Sequence, residues 1–128
     1  MPKLVLGMLQ RILQIPMKNQ IEHSTSFTVT AIENNEIIPD FCEEENVNVV
    51  LLEVRHQPPW DIERCLLLQS EIREKSPSTK TVFLCDSKNG NLGKQVMLAK
   101  REKLIDDFLY ADTGYDYLCA TLESLVVD

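Results

Sequence analysis

With 128 residues, 44% of them hydrophobic, the chain is the right size for one domain with its own core and too short for two. A formal net charge of −7 argues against a nucleic-acid surface built from these residues alone, because neutralisation of phosphates drives such binding. No apolar run approaches the roughly 20 residues that span a bilayer, and no early stretch combines a basic start, an apolar run and a small-residue cleavage site.

Short continuous apolar runs, suited to strands covered on both faces, alternate with longer stretches of helical spacing, and that alternation predicts a parallel sheet. The first strand is expected at Lys3 to Leu6, followed by a helix with Met8, Leu9, Ile12 and Leu13 on one stripe. Pro16 should kink that helix or mark its restart, since it lacks an N–H and clashes with the preceding turn. A second strand is expected at Phe27 to Ile32, a short acidic helix at Glu36 to Glu45 and a third strand at Val49 to Val54. Ile62, Cys65, Leu66, Gln69 and Ile72 form the stripe of a third helix, after which Ser76-Pro77-Ser78 reads as a loop. The fourth strand is expected at Thr81 to Cys85, with a loop from Ser87 to Gly93 and a helix at Leu92 to Lys103. Asp107 to Tyr110 supplies the fifth strand. Thr113, three residues before Asp116, reads as the cap of a last helix over Tyr115 to Val127.

Few residues stand out chemically. The four cysteines, Cys42, Cys65, Cys85 and Cys119, are widely spaced, with no C-x-x-C pair and no His in ligand spacing, so reduced and mostly buried thiols are expected, and no metal. Glu53 lies near the end of an otherwise aliphatic strand, with His56 just beyond it and Asp86 at the end of the next strand. In a parallel sheet that edge is where ligands bind, but no nucleophile or Gly-rich phosphate loop accompanies these acids, and no catalytic residue is assigned. Trp60 follows Pro58-Pro59 and reads equally as a partner anchor or as a cap over the third helix. Lys94, Lys100, Arg101 and Lys103 put positive charge on the fourth helix, while Asp107, Asp112 and Asp116 lie on or after the fifth strand.

Three segments carry a resemblance: NVVLLEVRHQPP (Asn48 to Pro59), IREKSPSTKTVFLCD (from Ile72) and IDDFLYADTGYDYLCATLES (from Ile105), with KLVLG near the start. Together they resemble the receiver domains of two-component response regulators over nearly the whole chain. The resemblance implies a single flavodoxin-like (CheY-like) α/β receiver domain, with a five-stranded parallel sheet in the order 2-1-3-4-5 and five helices on both faces. It also implies phosphoryl transfer to an Asp, helped by an acidic pair that holds Mg²⁺, a hydroxyl after the fourth strand and a Lys after the fifth; metal and Lys neutralise the transferring group. Here the acceptor position carries Glu53 and the acidic pair falls on Gly7, Met8 and Leu9. The hydroxyl position is Cys85, the Lys position Ala111, and the family's switching aromatic Phe108.

Every phosphorylation residue is therefore replaced. Glu53 supplies one charge where phosphate brings about −1.5 to −2, and no matching Lys or metal pair grips it. The expected function is that of a phosphorylation-independent regulatory and dimerisation module of a DNA-binding regulator, cytoplasmic, with no enzyme activity and no cofactor. Residues 1–128 would be the receiver-like part, and DNA would be reached through a further domain. Lys94, Lys100, Arg101, Lys103, Asp107, Asp112 and Asp116 would form a two-fold face, as opposite charges on one patch suit an isologous contact. The alternatives are a stand-alone adaptor that binds another signalling protein, and a small-ligand or metal sensor at the Glu53, Asp86 and His56 edge.

Overall fold

A computed structural model describes residues 1–8, 11–86 and 90–126. Five parallel strands, β1 (Lys3–Gly7), β2 (Thr28–Ile32), β3 (Val49–Glu53), β4 (Lys80–Cys85) and β5 (Asp107–Tyr110), form one sheet in the order β2-β1-β3-β4-β5. The helices are α1 (Arg11–Ser24), α2 (Ile38–Glu45), α3 (Ile62–Lys75), α4 (Gly90–Arg101) and α5 (Tyr115–Ser124), with a 3-10 turn at Asn35–Ile37 before α2. The expected class, strand order and placement of helices on both faces are all present.

Strand alternation divides the core in two. On one face, Val50 and Leu52 of β3 and Phe83 and Cys85 of β4 pack with Ile38 and Cys42 of α2, Cys65, Leu68 and Ile72 of α3, and Val96 of α4. On the other, Leu4, Leu6, Leu51, Leu84 and Leu109 meet Met17 and Ile21 of α1 and Leu118 and Leu122 of α5. Both faces of the central strands are thus dry, which is why β3 reads as an unbroken aliphatic run rather than an alternating one.

Local details depart from the sequence expectations. The stripe expected on Ile12 and Leu13 does not face the core: Ile12 is 81% and Leu13 47% exposed, and the inward residues are Gln14, Met17 and Ile21. α1 begins at Arg11, and Gln14 Nε2 donates to the Ile32 carbonyl at 3.2 Å, so a polar residue fixes the helix rotation that the aliphatics were expected to set. Nor does the helix restart at Pro16, which lies inside one continuous element. The carbonyl that loses its partner there is that of Ile12, four residues back, on an exposed turn open to water. At the other end, Gly114 rather than Thr113 is the N-cap of α5, and no side-chain hydrogen bond caps it. The loop expected through Gly93 ends earlier, since Gly90 to Gly93 form the first turn of α4. That helix also stops two residues short of Lys103, whose φ of 64° is left-handed. Leu9 and Val127 lie outside the described residues.

Candidate functional site

The C-terminal ends of β3 and β4, with the residue after β5, surround a cleft of about 320 Å³ lined by Glu53, Arg55, His56, Cys85, Asp86 and Ala111, among others. The register sets this up: Glu53 pairs with Leu84 and Cys85 with Tyr110, while the Ala111 N–H donates to the Cys85 carbonyl at 2.8 Å. Apolar walls come from Leu13, Val54, Leu84 and Leu92. The three positions singled out at strand ends, Glu53, Cys85 and Ala111, therefore do converge, and so do His56 and Asp86.

Glu53 is mostly covered, its side chain 17% exposed, and its Oε2 lies 3.9 Å from an Arg55 terminal nitrogen. That distance is a charge contact rather than a hydrogen bond, and with Arg55 partly in solvent it contributes at most about 1 kcal/mol. Arg55 was not singled out from the sequence; its signal is spacing, because residues two apart leave an extended chain on the same side. Cys85 is no substitute for a hydroxyl. Burial, reinforced by the Asp86 carboxylate, pushes its thiol up to about 11, so the thiolate needed for metal or redox chemistry is scarce at neutral pH. Cys65 and Cys42 are pushed up to about 12, in both cases chiefly by burial.

The end of β1 is closed. A Cβ at Gly7 would lie 2.6 Å from Leu52 Cδ2, 2.9 Å from Ile38 Cδ1 and 3.1 Å from Asn35 Oδ1, so side chains of the core occupy the space above the strand. Met8 is buried in the opposite half of the core. Asn35, buried above Gly7 with neither amide atom hydrogen-bonded, is a polar residue that the sequence reading missed; nothing in its loop composition distinguishes it. Among the described residues no group of three or more His, Cys, Asp or Glu is placed to hold a metal ion.

The charged face assembles only in part. Lys100 Nζ is 2.9 Å from Asp107 and 5.7 Å from the Phe108 ring centroid, so two of the charges expected to reach a second copy are paired within the chain. Phe108 stands edge-on to Tyr110 at 5.7 Å and packs against the core. Around them Lys100, Asp107, Phe108, Tyr110, Thr113 and Tyr117 line a shallow depression of about 200 Å³ that links α4, β5 and α5. Lys94, Arg101, Lys103, Asp112 and Asp116 are exposed. Trp60 packs partly against the core under Arg64, whose guanidinium lies 4.6 Å from its ring centre, the geometry of a cap at the start of α3.

No protein-family model and no curated protein matches the sequence. Solved structures do. A response regulator from Thermotoga maritima is similar with a TM-score of 0.76 at 23% identity, over 98% of this chain and 97% of that one. A LuxR-family DNA-binding response regulator from Staphylococcus aureus gives 0.76 at 21% identity over 98% of each. A streptococcal redox sensor described as evolved from two-component response regulators gives 0.77 at 12%, over 98% of this chain and 51% of the other. At such identities the likeness is one of fold, and the chain has the fold of the response-regulator receiver domains, the CheY-like form of the flavodoxin-like architecture.

Proposed function

We propose that this receiver-like domain regulates by recognition and self-association and not by accepting a phosphoryl group. The observation that carries this reading is the closed end of β1, where Leu52 and Ile38 fill the space that a metal-binding carboxylate at Gly7 would require. Magnesium bridging is what makes phosphoryl transfer to a carboxylate feasible, and a buried Met8 cannot supply it. Cys85 and Ala111 remove the two groups that would hold the product, and Glu53 serves as a mostly covered structural carboxylate. Phe108, with no phosphate-linked hydroxyl to follow, is a static packing residue.

In this reading residues 1–128 form the regulatory part of a longer cytoplasmic DNA-binding regulator, as the fold likeness to LuxR-family regulators supports, and the domain is not an enzyme. With a net charge of −7 it leaves DNA to another domain. The test is an amide NMR titration with Mg²⁺ and then beryllofluoride. Spectra that stay unchanged are the expected result; saturable shifts centred on Glu53, Cys85 and Ala111 would overturn the reading.

A second reading, the stand-alone adaptor, draws on one observation: α1 exposes Ile12, Leu13 and Ile15 together at its start, an apolar patch that a protein partner would cover. Polar replacements at Ile12 and Ile15 that abolish capture of a signalling partner, while leaving self-association intact, would favour it.

A further inference from the structure

Three depressions meet at one dipeptide. Arg55 and His56 line the cleft of about 320 Å³ at Glu53, a second of about 190 Å³ with Asn91 and Gln95, and a third of about 410 Å³ with Gln57, Pro58, Pro59 and Trp60. The third differs chemically from the first, because no acid lines it: its surfaces are two proline rings, an indole, a glutamine amide, an imidazole and a guanidinium. A volume in this range suits a small organic molecule better than a single ion.

Arg55 is poorly satisfied where it stands. Its contact with Glu53 is 3.9 Å, beyond hydrogen-bond reach, and its Nε is buried with no hydrogen-bond partner. A buried donor without an acceptor is costly, while the side chain as a whole is 38% exposed, so its guanidinium can meet an acceptor from solution. The acceptor that matches its planar fork is a carboxylate, which takes two parallel N–H bonds. Trp60 and the prolines offer flat apolar faces beside it, while Arg64 stacked on the indole makes the groove less hospitable to a cation.

We propose that the Arg55–Trp60 groove binds a small organic acid with a flat apolar body, its carboxylate held by Arg55 with His56 at the rim and its body laid on Pro58, Pro59 and Trp60. This goes beyond the regulatory reading and does not depend on it. A domain that responds to beryllofluoride could still hold such an acid, and one that does not respond could fail to.

Trp60 is the chain's only tryptophan, so its fluorescence reports from the groove itself. The experiment titrates the protein with benzoate, and separately with acetate, inorganic phosphate and benzylamine. Benzoate should give a saturable change at roughly millimolar concentration, as expected of a ligand with so few atoms. Acetate and phosphate should bind at least tenfold more weakly, and benzylamine should not saturate. Arg55→Gln should weaken benzoate tenfold or more, and Arg55→Lys, which keeps the charge without the fork, should restore only part of it. Amide NMR shifts on benzoate addition should centre on residues 55–60. Linear quenching identical in the native protein and Arg55→Gln would overturn the proposal. So would equal affinity for phosphate and benzoate, saturation by benzylamine, or shifts that map elsewhere.

Discussion

Replacing Gly7 by alanine puts a methyl group 2.6 Å from Leu52 Cδ2 and 2.9 Å from Ile38 Cδ1, and both neighbours are fully buried. Overpacking of this kind costs about 1–3 kcal/mol, so Gly7→Ala should lower the urea midpoint at unchanged slope, and Gly7→Asp should cost more. A Gly7→Asp variant as stable as the native chain would mean that the end of β1 opens easily and that a carboxylate there is tolerable. Asn35 gives the opposite sign. Its two unpaired amide atoms are buried, and leucine, similar in shape and without polar atoms, should stabilise the fold by about 1–3 kcal/mol; an unchanged midpoint would show that the amide is satisfied in solution. The thiols set a pH dependence. Cys42 and Cys65 are pushed up to about 12 and Cys85 to about 11 from an ordinary 9.0, so above pH 9 the unfolded chain releases protons that the folded chain keeps. Stability is therefore full below pH 9 and should fall between 9 and about 11 by up to about 1.4 kcal/mol per pH unit for each thiol. Cys85→Ala should flatten the decline seen in urea titrations across that range.

Helix ends are where sequence signals and structure diverge, and the divergence is measurable. Asp61 Oδ1 accepts the Arg64 N–H at 3.0 Å and caps α3, so Asp61→Ala should cost about 0.5–2 kcal/mol. Thr113→Ala should change stability by only a few tenths of a kcal/mol, because Gly114 holds the cap position and no side chain serves it. Equal losses from the two substitutions would contradict this assignment. The buried faces of β3 and β4 were legible because the central strands are dry on both sides and leave continuous aliphatic runs, whereas the strand order was implied only by the resemblance to receiver domains. The rotation of α1 was not legible: its aliphatics outnumber its inward positions, and a buried Gln14 bonded to Ile32 decides which face turns inward. At the cleft, Glu53 could be placed near the end of its aliphatic run, while Cys85 and Ala111 were matched through the resemblance, and the register brings these adjacent C-termini together. Asn35 and the crowding at Gly7 could not, because they depend on how far α2 approaches β1 in space.

At the scale of the molecule the question is how two copies, each carrying −7, could associate. Acids crowd α2, where Asp40, Glu43, Glu44 and Glu45 fall within one short helix, and like charges there oppose contact. The α4–β5–α5 side alternates signs instead, with Lys94, Arg101 and Lys103 on one part and Asp112 and Asp116 on another, and Tyr117, 66% exposed, supplies apolar area beside them. Lys100 and Asp107 already satisfy each other beside the ring of Phe108, so in the proposed dimer the exposed charges would set the pairing. Sedimentation analysis should then show a dimer that weakens as salt rises towards 1 M, where the screening length falls to roughly 3 Å. The double reversal Lys94→Glu with Arg101→Glu should raise the dimer dissociation constant at least tenfold, whereas Lys100→Gln should chiefly lower stability. Further reversal of Asp112 and Asp116 to Lys in the same chain should recover part of the affinity. A dimer indifferent to salt and to all four reversals would place the contact elsewhere, with the apolar start of α1 the next surface to substitute.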